Sequence, residues 1–341
     1  MMSIQKQLEL FHQKIKVDTE TLREKRDILI NKIKQSLKAS GHSTCDTINQ
    51  GSYIYGVGVI PLGSQEYDID VGLVFPIRAI DYKPKNVKNW VYEAVKNHTS
   101  NVEDRGSCIR VRYTAGYHVD LVVYAQFYDD VNHENYQLAR KDGTWNQSDP
   151  KTLKKYIENA RQNFISTKDR SGADQIQRVT RYFKRWNDLV IAKESPDKPT
   201  GLAMLLLVIQ YLSAPCINDV GASEDIGALL LIAREISRLS GRIIINKPTP
   251  QYEDVFSKLD EQAMIQLKER FRLLQEDLEQ ISNMSEMNAI NVMAKHFGDD
   301  FSKIIQPQAK QLTNEELKAA DILDMEKAIP SYKNPAKPWA Q

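Results

Sequence analysis

The chain has 341 residues, 41% of them apolar and 27% charged, and its 46 Lys and Arg against 45 Asp and Glu leave a net charge of +1. Such a chain fills one large domain or two ordinary ones. The near-neutral balance speaks against a dedicated duplex nucleic-acid binder, which carries a basic excess or stripe; it favours a small partner and leaves room for a local basic groove.

From the N-terminus, a short helix is expected over residues 3 to 15 and a long amphipathic one from Thr19 to Ala39. Leu22, Leu29, Ile30, Ile33 and Leu37 recur there at helical spacing, and Thr21 with Glu24 forms a capping-box start. The heptad is not sustained, so the stripe is expected to pack behind both halves of the protein and not to form a coiled coil. No signal-peptide apolar region opens the sequence. Cys45, Cys108 and Cys216 form no CxxC pair and no even disulfide framework, which fits a reducing cytoplasm.

Residues 45 to 130 change character. "DIDVGLVF", "CIRVRY" and "HVDLVVYAQFY" are β-rich and separated by breakers, and "RVRYTAGYHVDLVVY" reads as a hairpin turning around Thr114, Ala115 and Gly116. Between Asn86 and Asn97, Trp90, Val91, Ala94 and Val95 make one face of a helix. After about residue 150 the strand signals nearly vanish. Helices are expected at about 151–164, 173–193, 200–213, 223–239, 257–281 and 285–297, interrupted by an extended piece, "GRIIINKPTP". The apolar run "GLAMLLLVIQYL" is shorter than the roughly 20 residues needed to cross a bilayer, and is expected to be a core helix. The end, "PSYKNPAKPWAQ", reads as a loose Pro-rich tail.

The chemistry lies in the β-rich half. Asp68 and Asp70 sit two residues apart at the entrance of an otherwise apolar strand, so both project from one face while Ile69 points the other way. Asp120 sits among apolar neighbours on a separate strand. Side by side, the two strands bring three carboxylates together, which repel one another unless a cation lies between them. Hard oxygen ligands suit Mg²⁺, and two such ions clamp the attacking and leaving oxygens of a phosphoryl transfer. Upstream, Gly51-Ser52 forms a turn into a short helix, where glycine permits close approach and the serine hydroxyl with nearby N–H groups receives a phosphate. Gly63-Ser64 is too near Asp68 for an intervening helix and falls in a loop. The six histidines show no zinc-ligand spacing.

In the helical half, Ile176, Val179, Phe183, Trp186 and Val190 define a buried face with Lys184 at its edge. Arg178, Arg181 and Arg185 form a stripe behind it, expected to be solvated. Thr200 stands at a helix N-cap after Pro199. Arg110 and Arg112 share a strand face and offer contacts to an acceptor nucleotide.

Taken together, "QGSY", "YDIDVGLVF", "HVDLVVYA" and "RYFKRWND…KPTGLAMLLL" resemble the DNA polymerase β-like nucleotidyltransferase superfamily, and within it the bacterial CD-NTases related to cyclic-GMP-AMP synthase and DncV. The interval from Ser52 to Asp68 is longer than the superfamily pattern usually has. The resemblance implies an α+β fold: a nucleotidyltransferase core with a mixed sheet and a long N-terminal helix (residues 1–165), an all-helical lobe (166–330) and the tail (331–341), with the active site in the cleft of a bilobed molecule. It implies that Asp68, Asp70 and Asp120 ligate two Mg²⁺ or Mn²⁺ ions, with Asp120 also acting as general base. Gln50, Gly51, Ser52, Lys184 and Thr200 then hold the donor nucleotide. The implied activity is template-independent synthesis of a cyclic di- or trinucleotide messenger from nucleoside triphosphates in anti-phage signalling, by a cytoplasmic monomer with an accessory regulatory protein as a conceivable partner and no membrane. The alternatives are nucleotide addition to RNA, tRNA or a protein, and a catalytically silent scaffold of the same fold.

Overall fold

The computed structural model describes residues 2–17, 20–63, 66–129, 132–190, 197–249 and 251–304. The chain begins with α1 (Met2–Ile15) and α2 (Glu20–Ala39), matching the two helices expected there. The side chain of Thr21 and the Pro-rich tail lie outside the described residues.

There follow β1 (Asp46–Gln50), a five-residue helix α3 (Gly51–Tyr55), β2 (Tyr67–Phe75), α4 (Pro84–Val95), β3 (Val102–Asp104), β4 (Ile109–Tyr113), β5 (Tyr117–Tyr128), β6 (Glu134–Ala139) and β7 (Trp145–Ser148). The sheet runs β1-β2-β5-β4-β3, with β6 paired to the far half of β5 and β7 to β6. β2 and β5 are parallel and all other pairs antiparallel. Parallel neighbours require a crossover, and α4 lies in that connection. The hairpin between β4 and β5 turns at Gly116, whose φ of 83° is open to glycine.

Alternation along the strands sorts the residues. Ile69, Val71 and Leu73 of β2, with Val119, Leu121 and Val123 of β5, face one way and pack with Leu29 and Ile33 of α2 and Val87 and Val91 of α4. All are essentially inaccessible to solvent, and each such aliphatic side chain contributes about 1.5–3 kcal/mol by its burial. The opposite face carries the polar residues described below.

The second half is helical: α5 (Pro150–Gln162), α6 (Gln175–Val190), α7 (Gly201–Tyr211), α8 (Asp225–Arg238), α9 (Glu261–Gln280), α10 (Glu286–Phe297) and the short α11 (Asp299–Ser302). Its core is built from Phe183, Trp186, Leu207, Leu229 and Phe271. α1 joins this core through Leu8 and Phe11, and so do Val57 and Val59 from the loop after α3. α2 instead packs on the sheet, so the two N-terminal helices serve different cores. Residues 241–249 contain no named strand; Asn246 makes an isolated bridge to Asp254, with Ile243 and Ile245 buried beside it. α7 is buried from Ala203 to Ile209, as its composition predicts, and among the described residues no helix is long and apolar enough to cross a membrane.

The stripe of arginines on α6 is a correction to the sequence reading. Arg178, Arg181 and Arg185 are buried, with exposures of 1%, 3% and 2%. α6 has no solvated back because α1, α7, α8 and α10 all pack against it. The charges are compensated inside. Arg178 grips Asp225 through two bonds of 2.8 Å, Arg181 donates to Gly56 O, and Arg185 donates to Ile60 O at 2.8 Å.

Candidate active site

The register of β2 against β5 sets Asp70 opposite Asp120 and Asp68 opposite His118. Three carboxylates and an imidazole therefore share the sheet face turned away from the core. Asp68 is exposed, Asp70 is half-buried, and Asp120 and His118 are 6% and 2% exposed. Ligand atoms of Asp68, His118 and Asp120 lie within 4.8 Å of one another. The carboxylate of Asp70 leans towards the Gly51 backbone: a Cβ on Gly51 would stand 1.9 Å from its Oδ2. With φ at +72° as well, position 51 has two reasons to be glycine.

Burial, with the charges of Asp68 and Asp120 beside it, pushes the Asp70 carboxyl well above the usual carboxylate range, against the pull of Arg110 and Lys184. Such a carboxyl is ionised by a bound cation, and the donor set fits one: carboxylate oxygens converge with an imidazole Nε2 that is buried and has no hydrogen-bond partner.

Arg110 and Arg112 are engaged by carboxylates. Arg110, on β4 opposite Asp120, forms a bidentate pair with it, Nε to Oδ1 and Nη2 to Oδ2 both at 2.8 Å. Arg112 lies 3.5 Å from Glu66 and 3.4 Å from Glu103.

The face opens into a cleft of about 950 Å³ between the sheet and the helices, lined on one side by Gln50, Gly51, Ser52, Asp68 and Asp70 and on the other by Lys184, Thr200 and Gly201. Ser52 stands in the first turn of α3, half-buried. Gln50 accepts a bond from Tyr124 Oη at 3.1 Å, fixing its amide at the end of β1. Gly72 keeps that tyrosine in place, since a Cβ there would come within 3.0 Å of the ring. Lys184 Nζ donates to Val57 O at 3.0 Å and packs against Gly201, where a Cβ would lie 3.1 Å from its Cε. Burial lowers its pKa, and the nearby charges of Asp68, Asp188 and Asp70 counteract this. Thr200 caps α7, its Oγ1 accepting from Ala203 N at 3.1 Å, and stands exposed at the cleft wall. The structure thus brings to one cleft the carboxylates of β2 with Gln50, Gly51, Ser52, Lys184 and Thr200, and sets Asp120 beside them on β5, whereas Arg110 and Arg112 are not among the lining residues.

The loop between Ser52 and Asp68 is held from the helical side. Gln177, Arg181, Lys184 and Arg185 of α6 donate in turn to the carbonyls of Tyr55, Gly56, Val57 and Ile60. These four side chains clamp residues 55–60, the first part of the long interval between the serine and the first carboxylate.

His118, Glu66 and the grip of Arg110 on Asp120 were not found by sequence reasoning. The signal for His118 was present: it precedes Asp120 by two residues, as Asp68 precedes Asp70, so it shares the same strand face.

A mixed sheet with paired carboxylates on adjacent strands, facing a helical half across a cleft, is the arrangement that the sequence resemblance to polymerase-β-like nucleotidyltransferases implies. The family model described as "Cyclic GMP-AMP synthase DncV-like, nucleotidyltransferase domain" matches residues 45–124. The chain is 24% identical over 253 residues to a cyclic GMP-AMP synthase of Escherichia albertii, covering 70% of this chain and 54% of that protein. To a c-di-GMP synthase of Roseivirga ehrenbergii it is 22% identical over 179 residues, covering 48% and 47%. The chain thus spans about half the length of these curated relatives. Among solved structures, Vibrio cholerae DncV in its GTP-bound form superposes with a TM-score of 0.67 at 16% identity, over 84% of this chain and 92% of that one. CdnC from Escherichia coli MS115-1, solved in a complex with a HORMA protein, gives 0.64 at 16% identity, over 87% and 98%.

Proposed function

We propose that the protein makes a cyclic di- or trinucleotide from nucleoside triphosphates without a template, by two-metal nucleotidyl transfer, and that its product serves anti-phage signalling. The observation that carries this is the in-register placement of Asp70 beside Asp120, with Asp68 on the same face, at the wall of a cleft that also holds Ser52 and Lys184. Relatives named as cyclic GMP-AMP and c-di-GMP synthases support the product class.

Asp68, Asp70 and Asp120 hold Mg²⁺ or Mn²⁺, the ions supplying charge neutralisation at the α-phosphate and a more acidic attacking hydroxyl. Asp70, whose carboxylate leans on the Gly51 backbone and whose pKa is raised by burial, would be ionised where a cation is held. Asp120 accepts the proton of the ribose hydroxyl. Ser52, Gln50 and the Gly51 backbone hold the donor phosphates from the sheet side, and Lys184 and Thr200 hold them from the helical side. Among the described residues, cations (Lys16, Arg23, Arg181, Lys184, Lys198 and Lys247) and carboxylates (Glu66, Asp68, Asp70, Asp149 and Asp188) line the cleft together, so it would turn basic enough for a triphosphate once Asp68 and Asp70 held metal ions. A companion protein is a partner consistent with the HORMA complex of the CdnC neighbour.

The deciding experiment incubates the purified protein with all four labelled ribonucleoside triphosphates and Mg²⁺ or Mn²⁺, followed by phosphatase treatment and mass spectrometry. Phosphatase-resistant cyclic products, absent with Asp68→Ala of unchanged circular dichroism, are expected. A ladder of linear products would move the assignment to RNA or protein nucleotidylation, and full activity in Asp68→Ala would remove the metal assignment.

A further inference from the structure

His118 is a side chain of the carboxylate face whose chemistry the nucleotidyl transfer above does not use. It is 2% exposed, on β5, two residues before Asp120 and opposite Asp68. Its Nδ1 lies 3.0 Å from Glu66 Oε2, whereas its Nε2 is buried without a hydrogen-bond partner, 4.0 Å from Asp120 Oδ1. A histidine retained for packing satisfies both ring nitrogens, because an orphaned buried polar atom costs about 1–3 kcal/mol. With Glu66 accepting from Nδ1–H, the tautomer leaves a lone pair on Nε2, pointed into a group of carboxylate oxygens. A lone pair facing carboxylates is repulsive until something positive stands between them.

The geometry points to His118 as a nitrogen ligand: we propose that Asp68, His118 and Asp120 form one divalent-cation site, with Glu66 orienting the imidazole, and that this site prefers Mn²⁺ to Mg²⁺. A carboxylate bonded to the far nitrogen of a metal-binding histidine fixes the ring and raises its basicity. The three ligand atoms, within 4.8 Å of one another, are close enough to share one ion. An all-oxygen site suits Mg²⁺, while an imidazole ligand shifts preference towards transition-series cations. Arg110 strengthens the case. It holds both oxygens of Asp120 and so thins the negative charge available to a hard ion, leaving a neutral nitrogen relatively more important.

This inference rests on the reading of the cleft as a metal-dependent active site, and the test separates the two. Mn²⁺ alone is titrated into the full chain without nucleotide, followed by electron paramagnetic resonance, and pulsed spectra are searched for ¹⁴N coupling. The parent should show bound Mn²⁺ with nitrogen modulation. His118→Gln should lose that modulation and bind Mn²⁺ at least about 10-fold more weakly, with a smaller change for Mg²⁺ measured by competition. Glu66→Gln, which keeps the imidazole, should weaken Mn²⁺ while retaining the coupling. Circular dichroism and melting curves establish that the variants fold. Mn²⁺ bound by the parent without ¹⁴N coupling, or with affinity unchanged in His118→Gln, overturns the proposal and makes the imidazole an ion-pair partner of Asp120, while the metal-dependent reading stands. If the parent binds no Mn²⁺ with or without ATP, both readings fall.

Discussion

At the scale of single residues, Asp120 is the carboxylate whose surroundings matter most. Its side chain is 8% exposed and that of Arg110 17%, and the two are joined by a bidentate pair. Removing one partner of a buried pair leaves the other charge uncompensated, at about 3–5 kcal/mol, whereas removing both is far less damaging. Arg110→Ala should therefore cost about 3 kcal/mol in urea unfolding, and Arg110→Ala with Asp120→Ala no more than the single change. Equal additive losses would show that the pair is not coupled. Much of this site was legible in the sequence because the strand period is two: Asp68 and Asp70 share a face whatever the rest of the fold does. The cross-strand partner of each was not legible, since register depends on the whole sheet. The sequence placed Arg110 on a strand face and left its guanidinium to a nucleotide, when Asp120 lay directly opposite.

At the scale of elements, α6 and the loop it clamps behave as one device. Arg185 is buried, donates to Ile60 O at 2.8 Å and lies 3.6 Å from Asp300. Arg185→Met keeps the length and apolar stem but removes the donor, at about 1–3 kcal/mol. Freed at Ile60, the loop leaves Lys184 with a less fixed carbonyl at Val57. Faster amide exchange over residues 57–62 and a raised KM for the triphosphate, with kcat little changed, are the expected outcomes. Unchanged exchange would show that the remaining three donors hold the loop alone. Periodicity located α6 but assigned its arginines to water, because a sequence shows one apolar face and not the elements that surround the other. The elements it missed are of the same origin. β1, β3, β6 and β7 are short, partly exposed and polar, as in "DTINQ" and "WNQS", and their pairing to longer strands defines them.

At the scale of the molecule, the N-terminal helix is wired to the loop after α3 through a buried histidine. His12 of α1 is inaccessible to solvent. Its Nδ1 accepts from Arg181 Nη1 at 2.7 Å, its Nε2 lies 3.2 Å from Asp169 Oδ2, and Arg181 in turn donates to Gly56 O. A neutral imidazole satisfies both neighbours at once, accepting from the arginine and donating to the aspartate. Burial, then the charges of Arg181 and Arg178, holds its pKa down to about 3, although Asp169 and Asp225 pull it up. Since the folded value is depressed below the ordinary 6.5, the unfolded chain binds the extra proton first as pH falls. The contribution of neutral His12 is then complete above about pH 6.5 and is lost progressively below it, by about 1.4 kcal/mol per pH unit. Near pH 5 the loss is about 2 kcal/mol. Asp169, lowered from an already acidic value by Ser171 and the backbone against the opposing effect of burial, titrates below this window and does not confuse it. His98, His118 and His296 are also lowered and give slopes of the same sign, so the parent alone does not isolate the effect. The comparison is with His12→Gln, which fills the site without titrating. Its stability deficit at pH 7, measured by urea unfolding, should shrink by about 2 kcal/mol at pH 5. Parallel curves for the two proteins would mean that His12 titrates alike in the folded and unfolded chain and is not held neutral by its burial, whereas a deficit that grows at pH 5 would mean that it is protonated and paired with Asp169.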